Sequence, residues 1–122
     1  MATVDLKART KAFALRIVRL YVALPKTTEA QVLGKQLLRC GTSVGAHYRE
    51  SVRARSTAEF VTKIEVGLAE LEEAIYWLEL LVDAQVVPAA KLKPLQTESN
   101  ELISILVTCV KNAKLRVKRK SP

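Results

Sequence analysis

The sequence predicts an all-α fold, an antiparallel up-and-down four-helix bundle, and three observations lead there. Nearly half of the residues are hydrophobic but only 5% are aromatic, so the core must be assembled from Leu, Val, Ile and Ala. Apolar residues recur at steps of three and four along four stretches, while runs with the alternation of a strand are scarce. The connections between those stretches are short, which lets each apolar seam find an antiparallel neighbour without a long crossover.

In the first stretch Leu6, Phe13, Ile17, Leu20 and Leu24 hold a heptad seam that Pro25 ends. The second opens at Thr28, where Thr28 and Gln31 fit a capping box, and runs to about Arg53 with its seam on Leu33, Leu37, Cys40, Val44 and His47. The third starts at Ser56, a cap that can take a backbone N–H while Glu59 reaches back. Its seam Val61, Ile64, Leu68, Leu71, Ile75, Leu78, Val82 alternates three and four without a fault. The fourth carries Leu92, Leu95, Ser99, Leu102, Leu106, Cys109 and Ala113; Pro94 either starts it or kinks it. A chain of 122 residues is expected to form one domain spanning 1–122, with the basic tail 114–122 fraying.

Charge is unevenly distributed. Lys and Arg number 20 against 12 Asp and Glu, for a net charge of +8, a balance that favours polyanions as partners. Between Glu59 and Asp83 seven acidic residues face only Lys63, whereas Lys111 to Lys120 holds six basic residues and no acidic one. On an ideal helix Lys35, Arg39, Thr42, Ala46, Arg49 and Arg53 share one face, and Arg55 continues it into the turn. Such a stripe can track a phosphate backbone. Beside it runs the line Gly34, Leu38, Gly41, Gly45 and Val52, where the glycines leave no side chain to keep another helix from approaching closely, the alternative being a local kink. Val66, Tyr76, Trp77 and Leu80 make the third helix apolar away from its seam as well, a surplus that points to another subunit. Gly41 and Gly45 are assigned with them to the contact between subunits.

Several kinds of chemistry find no support. A single His limits metal and acid–base sites, and no Glu-x-x-His pair of a di-iron bundle is present. Glu70, Glu72 and Glu73 therefore read as a solvated or ion-paired face, and His47 as a packed, hydrogen-bonded seam residue. GTSVG lacks the Lys-Ser/Thr of a Walker loop and the strand that precedes a dinucleotide fingerprint. No base or orienting acid accompanies Ser43. Cys40 and Cys109 have neither metal nor disulfide spacing and read as small core residues. The N-terminal MATVDLKARTKAF lacks the apolar block of a signal peptide, and no apolar run suffices for a membrane span. A cytoplasmic protein without a cofactor, a metal or a membrane partner is expected.

The run LLRCGTSVGAHYRES followed by EFVTKIEVGLAELEEAIYWLELL resembles the four-helix-bundle proteins related to those encoded in 23S rRNA intervening sequences. More distantly it is similar to the accessory variability determinant of diversity-generating retroelements. Matching positions are Arg39, Thr42, Ser43, Gly45, Ala46, Glu50, Arg55, Phe60 and the run Tyr76, Trp77, Leu78; the chain departs at His47, Tyr48 and Ser51. The resemblance implies a bundle assembled as a ring, typically a pentamer, with no established enzymatic activity and with a role in binding RNA or other nucleic acid.

Two readings follow. In the first, a non-enzymatic homo-oligomer binds RNA or DNA phosphates with weak sequence selectivity through Lys35, Arg39, Arg49, Arg53, Arg55, Lys114, Arg116, Lys118, Arg119 and Lys120. In the second, the chain is an interaction scaffold whose basic second and acidic third helices pair between subunits, with a further partner protein to be identified.

Overall fold

The computed structural model describes residues 5–120, with Lys120 given by its backbone alone. Four helices follow one another: α1 (Leu6–Ala23), α2 (Thr28–Val52), α3 (Thr57–Asp83) and α4 (Ala89–Lys120). Each packs on the next in the order α1, α2, α3, α4, and α1 touches α4 more sparingly. With connections of only a few residues, successive helices run antiparallel, as the seams predict.

The seams meet in one core. Phe13, Ile17, Leu37, Val44, Ile64, Leu71, Leu78, Leu102 and Leu106 are fully buried. Thr10 and Ser99 sit in the same interior, and each donates its hydroxyl to the carbonyl one turn back, Leu6 O at 2.7 Å and Leu95 O at 2.8 Å. This local bond satisfies a buried hydroxyl without a partner from another helix.

The local expectations fare differently. The α2 cap is Thr27, whose Oγ1 accepts from the Ala30 N–H at 3.4 Å. Two adjacent threonines are equivalent caps by type, and Gln31 is drawn away from a box. Its amide donates to Pro25 O at 2.9 Å, and its oxygen accepts from the Tyr21 hydroxyl at 3.0 Å. Ser56 caps α3 as expected, accepting from the Glu59 N–H at 3.1 Å, and Glu59 reaches back, to the Arg55 N–H at 3.3 Å. Of the two alternatives for Pro94, that it starts α4 is excluded: it lies inside the helix, which has already begun at Ala89. α4 is helical through Lys120, in keeping with a KNAKLRVKRK stretch rich in Lys, Arg, Leu and Ala and without Gly or Pro; residues 121–122 of the tail lie outside the described residues.

Gly41 and Gly45 are corrected too. Both are buried, against α1 of the same chain and not at a contact between subunits. A Cβ at Gly41 would lie 2.9 Å from Ile17 Cγ1, and one at Gly45 would lie 3.1 Å from Thr10 Oγ1. The glycine line thus brings α1 and α2 together.

Candidate nucleic-acid interface

Because the glycines turn one flank of α2 toward α1, the stripe next to them faces outward. Lys35, Arg49 and Arg53 are exposed along it, and Arg55 continues it into the α2–α3 turn. None of these four cations has an ion-pair partner among the described residues. Thr42 and Ser43 turn their hydroxyls onto their own helix, at Leu38 O and Arg39 O, each at 2.7 Å.

Arg39 departs from its expected role. Its Nη2 lies 2.6 Å from Glu73 Oε1 and its Nη1 3.4 Å from Glu70 Oε2, both on α3. The basic and acidic helices therefore do pair, but at this point within one chain. A second bridge, Lys63 Nζ to Glu50 Oε2 at 2.8 Å, joins α3 back to α2 near the turn. The hydrogen bond from Lys63 lowers the Glu50 pKa, and its reciprocal raises that of Lys63.

His47 packs against α3 beside Gly67, but the expected hydrogen bond is missing. Its Nδ1 is buried without one, and Glu50 Oε1 stands 3.4 Å away, within ion-pair range but not aligned. In the tail Lys114 approaches Glu65 at 3.9 Å, while Arg116, Lys118 and Arg119 are exposed. The Lys120 side chain lies outside the described residues.

On the outer face of α3, Val66 and Tyr76 are exposed, and Trp77 and Leu80 are partly so. The Tyr76 and Trp77 rings meet edge to face at 5.1 Å, and Trp77 Nε1 donates to Glu73 Oε1 at 3.4 Å. Sequence reasoning missed a second outward stripe on α1, where Leu15, Val18 and Val22 are all exposed. Its signal was present as steps of three and four beside the seam. Also missed was Arg9, whose Nε and Nη2 bond Glu98 at 2.8 and 2.7 Å while Nη2 also reaches Glu101. This clamp joins α1 to α4 across most of the sequence, so no local pattern announces it.

Among the described residues no group of His, Cys, Asp or Glu could hold a metal, and no helix is long and apolar enough to cross a membrane.

With this geometry in place, the chain can be set beside known proteins. Residues 3–108 match the family described as 23S rRNA-intervening sequence protein. The chain is also similar to a protein from Bacteroides thetaiotaomicron VPI-5482, solved as a crystal structure at 1.70 Å and described as of unknown function, from the S23 ribosomal protein family. The two are 37% identical, with a TM-score of 0.82, over 87% of this chain and 98% of the other. No curated protein matches significantly.

Proposed function

The chain belongs to the 23S rRNA-intervening sequence protein family, and from that premise we propose that it is a non-enzymatic, nucleic-acid-binding homo-oligomer. The observation that carries this reading is the outward stripe of α2. Lys35, Arg49 and Arg53 are exposed and have no counter-charge among the described residues, whereas Arg39 is neutralised by its own chain. Cations without counter-charges can meet a phosphate backbone without first breaking an ion pair, and a stripe without stacking aromatics binds with little sequence preference. RNA is the first candidate ligand and DNA the second.

The two outward apolar stripes support assembly. Val66, Tyr76, Trp77 and Leu80 on α3 and Leu15, Val18 and Val22 on α1 are different surfaces. Their mutual docking is heterologous, a kind of contact that closes into a ring or runs on as a filament; the ring, and the pentamer as its number, are what the family resemblance implies.

Fluorescence polarisation with single-stranded RNA tests the reading. Affinity is expected to fall about a thousandfold or more between 50 and 200 mM salt. Absence of binding at low salt, or indifference to salt, refutes it. The scaffold reading draws on Glu72, Glu79 and Asp83, which are exposed on α3 without an ion pair among the described residues. An Arg49→Glu, Arg53→Glu double variant separates the two: loss of assembly supports the scaffold, and intact assembly with lost RNA binding supports the nucleic-acid reading.

A further inference from the structure

Arg55 and Arg116 come from different elements, the α2–α3 turn and the last turns of α4, yet both line one open cavity of about 530 Å³ at that end of the bundle. No carboxylate lines it. Neither guanidinium has an ion pair among the described residues. Ser51, Ser56 and Thr57 border the same space, and the partly buried Phe60 supplies an apolar part of its wall. Ser51 already donates its proton to Tyr48 O at 2.6 Å, whereas Ser56 only accepts, from the Glu59 N–H, so the Ser56 and Thr57 hydroxyls both keep a proton to donate.

Two guanidinium groups beside two hydroxyls with protons to donate, and no counter-charge in the wall, repel a cation and suit a phosphate. The volume falls within the range of small-ligand sites and exceeds what a bare phosphate fills. An aromatic side chain in the wall suits a planar base. We infer that this cavity receives one nucleotide unit, with its phosphate between Arg55 and Arg116 and its base against Phe60. The inference rests on the nucleic-acid reading and adds a discrete site to the continuous track of α2.

Adenosine 5′-monophosphate and adenosine are titrated calorimetrically into the full chain at low salt. The variants are R55Q, R116Q and F60L, with R19Q, an exposed arginine of α1, as control. The monophosphate is expected to bind and adenosine not. R55Q and R116Q should each weaken binding about tenfold or more, F60L should weaken it less, and R19Q should leave it unchanged. Failure of the monophosphate to bind, equal binding of adenosine, or wild-type affinity in both arginine variants overturns the site. RNA binding that persists in those cases leaves the α2 track standing. Monophosphate binding without RNA binding removes the track and keeps the site. An RNA with a 5′-phosphate that outbinds its 5′-hydroxyl form identifies a terminal nucleotide; equal affinities, both lowered in R116Q, identify an internal one.

Discussion

Arg39 of α2 holds Glu73 of α3 at 2.6 Å within a single chain, so the cation in the middle of the basic stripe is already engaged. The same carboxylate accepts from Trp77 Nε1, which connects the charged flank of α3 to its outward aromatic pair. Charge on α2 is thereby divided between a residue that joins two helices and residues that face outward alone.

Arg39→Gln should therefore act on stability more than on binding. The guanidinium is half exposed, and such bridges contribute at most about 1 kcal/mol, so a loss of about 0.5–1 kcal/mol is expected in urea unfolding. RNA affinity should drop less than in Arg49→Gln or Arg53→Gln. An Arg39→Gln effect on RNA affinity equal to theirs would return Arg39 to the binding surface.

The two alanine substitutions at Gly41 and Gly67 should have opposite signs. At Gly41 an added methyl meets Ile17 Cγ1 at 2.9 Å and its Cβ at 3.4 Å, a branched side chain fixed near its backbone. Overpacking of about 1–3 kcal/mol then exceeds the helix-propensity gain of about 1 kcal/mol, and Gly41→Ala destabilises. At Gly67 the nearest atoms are 3.7 and 3.8 Å away, so the propensity gain survives, and Gly67→Ala should stabilise by about 0.5–1 kcal/mol. Paired thermal melts decide it: stabilisation by both would show that α1 yields at Ile17, and destabilisation by both that α3 has no room at Gly67.

How far the sequence could be read follows from these residues. Heptad seams announce buried faces because burial and helical spacing are both local, and so the bundle was legible. The line of glycines announces a close approach but not which helix approaches, and α1 proved to be the neighbour where another subunit was expected. The partners of Arg39 lie on the next helix and those of Arg9 on the last, where no periodicity connects them. The stripe on α2 looked uniform for the same reason: each arginine fits the spacing, and only the fold separates Arg39 from Arg49 and Arg53.

The turn between α3 and α4 was equally hidden. Gln85 adopts φ 61, with its N–H on Val82 O and the next N–H, of Val86, on Leu81 O at 3.0 Å, the bonding of a Schellman stop. A left-handed conformation costs an ordinary residue about 1 kcal/mol or more, and glutamine gives no sign of it in sequence. Gln85→Gly should raise the stability by about 0.5–1 kcal/mol, measured by urea unfolding. An unchanged or lower midpoint would mean that the side chain contributes something that offsets the strain.

The cysteines should differ sharply toward a thiol reagent. Cys40 is fully buried, and burial pushes its thiol up to about 12. Cys109 is only partly buried, and its thiol is raised as well by burial. Since the thiolate reacts, Ellman's reagent should modify Cys109 slowly in the native protein and Cys40 only after unfolding. Rapid native modification of Cys40 would show that the α2 seam opens.

The Arg9 clamp gives the acid limb of stability a defined source. Its hydrogen bonds lower the Glu98 pKa, and Glu98 in turn raises that of Arg9, which stays charged throughout the accessible range. A carboxylate whose folded pKa is depressed stabilises the fold above its unfolded pKa and loses that contribution as pH falls through the folded one. Glu98→Gln should cost about 1–3 kcal/mol at neutral pH, with the difference from wild type shrinking below about pH 4. The more exposed Glu101 keeps part of the hold on Arg9 in that variant. Unfolding curves of both proteins across this range test it, and a difference independent of pH would assign the Glu98 contribution to packing instead of charge.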